Sequence, residues 1–582
     1  MDSRTAAHVL TTIGDLLELS RAPRYRARAF QKAARAVLAL GAEDLRPMLE
    51  SGELAKTPDV GPATVGIIRD LIETGESSYL ARLTEDTPSG LVQMARVPGL
   101  GMSKVNLIHR ELGIENLEQL EEAARDGRLA RLPRFGPKTA ERVLAGIEFA
   151  RDSGKRTLYH RGLAQAVVLA DHVSKHPDVN EAIIAGAVRR HNETIGDIDI
   201  VAICSADPVG VAKSFGNDRA VKEVIEKGLN VSIRYIDDTR MDLWCTAPED
   251  SAITLWRATG SPEHVTELTT LATDRGFTID GNRLIKGKGR PIKLNEEGDF
   301  FAALGLDEIP PELREGMGEI EAAAGHSLPD LIFSEDIKGA LHCHTTYSDG
   351  VATIAEMAEA ARERGWKYIG ISDHSQAAFY AGGMKRDDIL RQHEEIDELN
   401  SGMKRFRILK GIECDILGDG RLDYDDDTLD LFEYVIGSVH SQFKMDQATM
   451  TARLLRVMDD PRLTILGHAT GRLLLSRSGY PVDIEAVIEK AAETGTVLEL
   501  NCDPRRMDLD WRHCRKARDR GVMIEIGPDA HSQRALDNVE MGVGMARKAW
   551  LSASQVLNAK SAREVLAIAK RKSQQRPGHV VP

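Results

Sequence analysis

The stretch LHCHTTYSDG, residues 341–350, decides the fold of the C-terminal part of this chain. It places His342 and His344 two residues apart on a predicted strand, where the period of two sends both imidazoles to the same face. Asp349 follows a few residues later. Imidazole and carboxylate groups are ligands for zinc, iron and manganese ions. The stretch therefore predicts a metal site at the end of a strand.

Further candidate ligands stand at or just past the ends of other short apolar segments, among them YIGIS, ILKGIE, YVIGSVH, LTILGH and VMIEIG. These segments alternate with helical ones, which predicts a parallel α/β barrel or sheet. The strand ends of a parallel barrel face one mouth, so residues far apart in sequence converge there. A lone histidine is more often a core or surface residue, but this recurrence favours a shared site. The candidates are His342, His344, Asp349, Asp373, His374, Glu413, His440, His468, Asp529 and His531.

A cluster of this kind can hold two or three Mn²⁺, Zn²⁺ or Fe²⁺ ions, because a carboxylate can bridge two ions that imidazoles also bind. Neighbouring ions lower the pKa of a bound water, orient it for attack and neutralise charge on a phosphoryl group. The expected chemistry is hydrolysis of a phosphate ester.

These residues resemble the PHP (polymerase and histidinol phosphatase) superfamily over nearly all of residues 335–575. The resemblance implies a distorted (β/α)7 barrel with a trinuclear centre. It also implies three ligand groups: His342, His344, Glu413 and Asp529; Glu413, His440 and His468; Asp349, His374 and His531. Arg472 is a candidate phosphate contact, with a surface salt bridge as the alternative. Ala340 stands where the superfamily often has an acidic residue, at a position that is not a usual ligand.

The middle of the chain carries a second acidic pattern in GAVRRHNETIGDIDIVAI, residues 186–203. Asp197 and Asp199 lie on one face of a predicted strand, and Asp242 in RMDLWC lies on a later strand that could run beside it. Three such carboxylates can bind two Mg²⁺ or Mn²⁺ ions for phosphoryl transfer. A solvated strand edge is the alternative. The preceding glycine turn and Arg190 favour a nucleotide site, since both can bind phosphates.

This pattern resembles the nucleotidyltransferase palm of family X DNA polymerases, and with the PHP region the whole chain is similar to the bacterial and archaeal PolX type. The resemblance implies Asp197, Asp199 and Asp242 as catalytic metal ligands. It implies a nucleotide site formed by Gly186, Arg190, Gly260 and Ser261.

The nucleotide pocket departs from the family pattern at four positions. Ala187 replaces a serine, Arg257 and Ala258 replace an aromatic pair, and Val265 replaces an asparagine. Each lost buried hydrogen bond weakens binding by about 1–3 kcal/mol. We therefore expect polymerisation to be weakened, and a polymerase-inactive end-processing enzyme is the alternative.

The N-terminal part reads as short helices separated by turns containing glycine and proline. VPGLGMSKV, residues 97–105, predicts a helix-hairpin-helix turn in which Gly99 and Gly101 let backbone N–H groups approach a DNA phosphate. Two similar turns contain Gly61 and Gly136, with Asp59 and Arg134 in place of the first glycine; a helix C-cap is the alternative for any one turn. Ile67 stands where the family carries a Schiff-base lysine, so we expect no lyase activity.

Net charge, the length of apolar runs and the cysteine spacing limit the class of protein that this chain can be. A net charge of −14 argues against nucleic-acid binding, but metal ligands contribute much of the acidity and local basic stretches such as residues 21–35 can contact DNA. No apolar run approaches the roughly 20 residues of a membrane span. The six cysteines show no paired spacing, which fits a cytoplasmic protein.

The expected architecture is multidomain, with an all-α helix-hairpin-helix region, an α+β palm with thumb, and a PHP barrel. The expected boundaries are 1–80 (helical DNA-binding domain), 81–155 (fingers), 156–250 (palm), 251–306 (thumb), 307–335 (linker) and 336–575 (PHP domain). We expect a monomeric DNA-repair enzyme acting on gapped DNA or 3′ ends with dNTPs, in base excision repair, with 3′–5′ exonuclease or phosphoesterase activity in the barrel. A small-molecule phosphatase and a catalytically dead DNA-binding scaffold are the remaining alternatives.

Overall fold

A computed structural model describes residues 1–573 except 2, 20–23, 41, 43, 75–76, 78, 81, 84–88, 96, 98–99, 101, 134, 154–155, 219, 228 and 237. The chain divides into two compact units, residues 1–155 with 475–477, and residues 156–474 with 478–582. Among the helices of the described part, none has the length and hydropathy needed to cross a bilayer.

The first unit is helical. The helix Ser3–Leu19 buries Ala6, Leu10, Ile13 and Leu17, whose spacing of three and four residues places them on one face. Asn116 accepts a hydrogen bond from the Gln119 backbone N–H and so caps another helix. The helices are Ser3–Leu19, Arg24–Ala39, Arg46–Glu50, Pro62–Thr74, Ser89–Ala95, Met102–Leu112, Leu117–Arg125 and Pro137–Ser153, with 3₁₀ turns Leu54–Lys56 and Leu129–Arg131.

The second unit begins with a mixed sheet. Its strands are β2 (Val179–Ile184), β4 (Ile198–Cys204), β5 (Val221–Lys227), β6 (Asn230–Tyr235) and β7 (Arg240–Thr246), while β1 (Thr157–Leu158) pairs with β3 (Thr194–Ile195). The spatial order is β2-β4-β7-β6-β5, and β4 and β7 run parallel. Helices Tyr159–Ser174, Gly186–Arg189 and Pro208–Phe215 accompany the sheet. The predicted α+β architecture is confirmed here.

The next segment is built around Trp256, Phe300 and Phe301, which are fully buried. It contains helices Ser251–Thr259, Pro262–Asp274 and Glu297–Ala303 and the hairpin β8 (Phe277–Asp280) and β9 (Arg283–Lys286). The 3₁₀ turn Pro248–Asp250 precedes it.

The segment expected to be a linker is packed into this core instead. Residues 307–335 contain the 3₁₀ turn Pro311–Leu313 and the helix Glu319–Ala324. Ile309, Leu313 and Ile320 are buried. The expectation rested on the prolines, glycines and charges of this segment, but the charged groups are paired: buried Arg314 bonds to Glu297, and Glu319 bonds to His264.

The C-terminal part is a parallel sheet of seven strands in sequential order. The strands are β10 (Gly339–Ala340), β11 (Tyr368–Ile371), β12 (Arg407–Asp415), β13 (Tyr434–Ser438), β14 (Leu463–Leu466), β15 (Val497–Asn501) and β16 (Ile524–Gly527). Beyond the last strand, Ala530 donates to the His342 carbonyl at 3.1 Å and accepts from the His344 N–H at 2.8 Å. These bonds join the first and last strands, so the sheet is a nearly closed barrel.

Helices surround this barrel and cover its apolar strands. They are Ile354–Glu363, Arg386–Gly402, Asp426–Leu429, Gln447–Met458, Ile484–Thr494, Trp511–Asp519, Asn538–Lys548 and Ala562–Ser573. The 3₁₀ turns are Ser334–Asp336, Phe379–Ala381, Arg534–Asp537, Ala553–Gln555 and Leu557–Ala559. Strand β11 is buried at every residue, as expected for a parallel strand covered on both faces.

Candidate metal centre and nucleotide site

The nine side chains expected to bind metal all lie at the carboxyl-terminal ends of barrel strands. His342 and His344 follow β10, which ends at Ala340, so they stand just past the strand rather than on it. Their rings still lie on one side, with centroids 5.2 Å apart. His374, His440 and His468 follow β11, β13 and β14, and Glu413 lies within β12.

Glu413 lies at the centre of the cluster and is completely buried. Five imidazoles direct a ring nitrogen at its two carboxylate oxygens, at 2.9–3.6 Å: His342, His344, His374, His440 and His468. A carboxylate surrounded in this way is placed to bridge metal ions.

Two aspartates complete the cluster on the other side. Asp349 Oδ1 lies 3.2 Å from His531 Nε2 and 3.5 Å from His374 Nε2. Asp529 Oδ1 lies 3.4 Å from His344 Nε2. Asp349 and Asp529 therefore lie within 3.2–3.5 Å of imidazole nitrogens of the same cluster.

The side chains form three overlapping groups close enough to share an ion. Among the described residues these are His344, Asp349, His374 and His531; His342, His344 and Asp529; and His374, Glu413 and His440. His344 and His374 thus each belong to two groups, whereas the resemblance assigned each to one. His468 is outside these groups, although its Nε2 lies 3.0 Å from Glu413 Oε1.

The donor set fits metal ions because many of its buried atoms have no hydrogen-bond partner. These atoms include His342 Nε2, both ring nitrogens of His344, His374 Nδ1 and Glu413 Oε2. Buried polar atoms are normally satisfied, and a metal ion would satisfy these.

Burial and neighbouring charges shift the pKa values of the side chains in this cluster. Burial would raise the pKa of Glu413, but the charges of His440, His342 and His374 hold it well below its usual value. Burial together with the charges of His531 and His374 lowers the pKa of His344 to about 4. His344 is therefore neutral at pH 7, which is the form that binds a metal ion.

Two carboxylates that the sequence analysis did not name orient the ligands. Glu499 bonds to His342 Nδ1 and accepts the His468 backbone N–H at 2.5 Å. Asp415 Oδ1 lies 2.7 Å from His440 Nδ1. Both are carboxylates within apolar strands, which was the available signal. Asp373, an initial candidate, points away from the cluster and accepts hydrogen bonds from Thr345, Ser348 and Gln392.

Two arginines near the barrel mouth have different surroundings. Arg472 bonds to Asp510 and to the carbonyls of Arg506 and Met507, so it holds a loop and its salt-bridge alternative is the observed arrangement. Arg506 Nε lies 3.3 Å from Asp529 Oδ2 and is partly exposed. Arg506 is therefore the better-placed cation for a phosphate at the cluster.

The three palm acids lie side by side. Asp199 and Asp242 are direct partners in the parallel pairing of β4 with β7, and Asp197 immediately precedes β4. Burial and the charge of Asp197 raise the pKa of Asp199 to about 7. Trp244 donates its indole N–H to Asp199 Oδ1 at 3.1 Å. This arrangement concentrates negative charge that a divalent ion would neutralise.

Of the predicted nucleotide-binding residues, Gly186 lies directly against the acid Asp199. Gly186 has φ +56°, and a Cβ there would overlap the Asp199 carboxylate, so the turn requires glycine. Arg190 is nearly buried and bonds to Glu315 at 2.8 Å and to the Thr259 carbonyl at 2.7 Å. Ser261 accepts the His264 N–H and caps a helix. A Cβ at Gly260 would crowd the ring of His264.

The four positions at which the nucleotide pocket departs from the family pattern are packed against or hydrogen-bonded to neighbouring residues. Arg257 donates to Asn282 Oδ1 at 2.8 Å and to the Gly281 carbonyl at 3.0 Å. Ala258 is buried, and Ala187 and Val265 are partly buried against hydrophobic neighbours. The arginine side chain is therefore committed to the β8–β9 turn.

The helical unit places two of the four predicted DNA-contacting glycines at helix starts. Gly61 precedes helix Pro62–Thr74 and Gly136 precedes helix Pro137–Ser153. Both have open space at the Cβ position. Gly99 and Gly101 lie outside the described residues. Ile67, at the position of the family lysine, is buried.

Comparison with known proteins matches three domain families to this chain. Residues 91–148 match the SAM-like helix-hairpin-helix tandem, residues 254–315 the DNA polymerase beta thumb, and residues 340–501 the PHP domain. The thumb match includes part of the segment expected to be a linker.

Comparison with whole protein sequences agrees with these domain matches. The chain is 36% identical to DNA polymerase/3′-5′ exonuclease PolX of Bacillus subtilis over 575 residues, which covers 98% of this chain and 100% of that protein. It is 29% identical to a probable phosphatase of Clostridium acetobutylicum over 228 residues, covering 34% of this chain and 86% of that protein. Since the first similarity extends along both chains, this protein belongs to the PolX family of DNA polymerase/3′-5′ exonucleases.

Proposed function

We propose that this chain joins DNA synthesis in the palm to metal-dependent removal of nucleotides from 3′ ends in the PHP barrel. The observation that carries the proposal is the ring of five imidazole nitrogens at 2.9–3.6 Å from the buried Glu413 carboxylate. Divalent ions bound there supply an activated water and charge neutralisation for phosphoester hydrolysis.

The side chains of the barrel have distinct tasks in this proposal. Glu413 and the imidazoles around it would hold the ions. Glu499 and Asp415 orient His342 and His440, which keeps the metal-binding nitrogen of each ring turned to the centre. Arg506 binds a non-bridging oxygen of the scissile phosphate, since its guanidinium lies beside Asp529 at the mouth.

In the palm, Asp197, Asp199 and Asp242 hold the catalytic ions. Burial and the charge of Asp197 raise the pKa of Asp199, and bound cations would offset the repulsion between the two carboxylates. Gly186 lets the turn approach Asp199 closely, and Arg190 lies beside the turn to receive the triphosphate.

The imidazole and carboxylate donors of the barrel suit Mn²⁺ or Zn²⁺, and the carboxylates of the palm suit Mg²⁺ or Mn²⁺. The proposed substrates are gapped DNA or DNA 3′ ends, with dNTPs. We propose that the chain acts as a monomer in the cytoplasm, in base excision repair. Its proposed DNA-contacting residues are Gly61 and Gly136, which precede helices, and Gly99 and Gly101, which lie outside the described residues.

One observation favours a second candidate, an end-processing enzyme without polymerase activity. Arg190 is already bonded to Glu315 and the Thr259 carbonyl, and Arg257 is bonded to the β8–β9 turn. A triphosphate would have to displace Glu315 from Arg190. In this alternative, the palm serves only to position DNA.

Two paired variants test the proposal. His342→Ala/His344→Ala should abolish Mn²⁺-dependent shortening of a labelled DNA 3′ end and leave primer extension intact. Asp197→Ala/Asp199→Ala should abolish extension and leave shortening intact. No nucleotide addition by the parent, with intact shortening, would establish the second candidate.

A further substrate comparison addresses the small-molecule phosphatase. The parent should hydrolyse a DNA 3′ end with kcat/KM at least about a hundredfold above that for a sugar phosphate, because only DNA engages the other domains. The opposite ranking would contradict an action on DNA.

A further inference from the structure

An exposed aromatic pair lies beside the barrel metal cluster. Phe379 is 85% exposed and Tyr380 is 63% exposed, and Phe379 is the most exposed large hydrophobic side chain of the described residues. Their rings meet edge to face at a centroid distance of 6.2 Å. Exposed aromatic surface of this size next to a catalytic centre indicates a binding surface.

The loop that carries the pair is held firmly by its backbone. Met384 donates to the carbonyl of His374 at 2.9 Å, so the loop closes on a proposed metal ligand. Ala377 donates to Asp423 Oδ2 at 2.7 Å, and Gln376 donates to the Tyr424 hydroxyl at 3.2 Å. The rings are therefore presented to solvent by a defined turn, the 3₁₀ segment Phe379–Ala381.

The geometry relates the rings to the site of hydrolysis. The Tyr380 ring centroid lies 6.5 Å from that of His374. His374 itself lies 2.9 Å from Glu413 and 3.5 Å from Asp349, in the middle of the cluster. A phosphodiester held at the cluster would therefore have a flanking nucleoside within reach of the aromatic pair.

The chemistry of the pair fits a nucleobase. Every base has a planar π face, so aromatic side chains bind unpaired strands with little sequence preference. A sugar phosphate has no such face to offer. A base within a duplex has both faces covered by its neighbours and would have to unstack first.

We propose that Phe379 and Tyr380 form a stacking platform for the base that flanks the scissile phosphate of an unpaired DNA 3′ end. This inference rests on the proposed hydrolysis at the same metal centre. It makes the two rings substrate-binding residues, which neither the metal ligands nor the palm acids account for.

The test compares strands with and without the relevant base. Single-stranded DNA oligonucleotides carry an abasic site at the 3′-terminal position, at the penultimate position, or at neither, and Mn²⁺-dependent shortening is measured. Phe379→Ala/Tyr380→Ala should raise KM about tenfold on the intact strand, with kcat nearly unchanged. On one of the two abasic strands the parent should show the same raised KM, and the variant should add no further loss.

Matched variants separate stacking from structural damage. Phe379→Tyr/Tyr380→Phe keeps both rings and should retain the KM of the parent. Leu390→Ala removes another exposed apolar side chain of the barrel and should have no effect. Metal content measured by mass spectrometry should be equal in all variants.

Two results would overturn the inference while the parent still hydrolyses DNA. One is an unchanged KM in the double alanine variant. The other is an equal loss on intact and abasic strands, which would indicate contact with the backbone or with another protein surface. Absence of DNA hydrolysis by the parent would instead contradict the proposed function.

Discussion

The side-chain ammonium group of Lys548 donates a hydrogen bond to the backbone carbonyl oxygen of Arg190 at 3.0 Å. Lys548 ends the barrel helix Asn538–Lys548 and is almost fully buried, whereas Arg190 follows the glycine turn of the palm. Lys548 also bonds to Glu315, which in turn holds the Arg190 guanidinium. The barrel helix therefore supports the palm segment expected to bind the triphosphate.

Loss of this support should affect nucleotide binding. Lys548→Met removes the donor to Arg190, so we expect the KM for dNTPs to rise about three- to tenfold in primer extension. Gly544→Ala should act in the same direction, because its Cβ would overlap the ring of His191 next to Arg190. DNA shortening should change less than twofold in both. Lys516→Met, at an exposed barrel position, is the control; an equal effect there would contradict the expectation.

Gly186 should not tolerate a side chain. Gly186→Ala combines a φ of +56° with overlap on Asp199, so primer extension should fall at least about a hundredfold. The thermal midpoint should also fall by several degrees. Gly66→Ala, in a helix with open space at the Cβ position, serves as the control and should leave the midpoint unchanged or slightly higher. A Gly186→Ala protein with normal extension would refute this requirement.

The raised pKa of Asp199 predicts how pH and metal ions affect stability. Because the folded state binds a proton up to about pH 7 and the unfolded carboxyl loses it near pH 4, the free energy of unfolding without metal falls as pH rises through this window. Mg²⁺ should therefore raise the thermal midpoint more at pH 8 than at pH 6. Asp199→Asn should raise the metal-free midpoint at pH 8 and reduce the Mg²⁺ increment. Equal increments at both pH values would contradict the assignment.

Removal of the central carboxylate, Glu413, should reduce metal binding in the barrel without affecting primer extension by the palm. Glu413→Gln should lower bound metal and abolish DNA shortening, because two or more ions lose a shared ligand. Glu499→Gln should reduce shortening by about ten- to a hundredfold, since His342 loses its orienting partner. Both should retain primer extension. Full metal content in Glu413→Gln would exclude its bridging role.

Several features were predictable from local sequence because they repeat within short distances. The alternation of apolar strands with helical segments predicted the barrel, and the polar residues at strand ends predicted which side chains would meet. In each case the relevant period or spacing lies within one element.

Other features depended on pairings across long separations. The sequence predicted a linker over residues 307–335. In the structure, Arg314 bonds to Glu297 and Glu319 bonds to His264, and these pairings hold the segment in the core. Arg472 looked suited to phosphate binding, but Asp510 and two carbonyls take its guanidinium, and Arg506 lies at the mouth instead. The role of a charged side chain depends on which groups surround it after folding.

The sequence by itself determined the family, the barrel and the set of nine candidate ligands. The reason is that residue types and the ends of strands can be recognised within short segments of the chain. Only the tertiary structure decided that Glu413 lies among five imidazoles, that Glu499 and Asp415 orient their partners, and that Lys548 reaches Arg190. The physical reason is that coordination and ion pairing act over a few ångströms between residues hundreds of positions apart, and such distances exist only once the chain has packed.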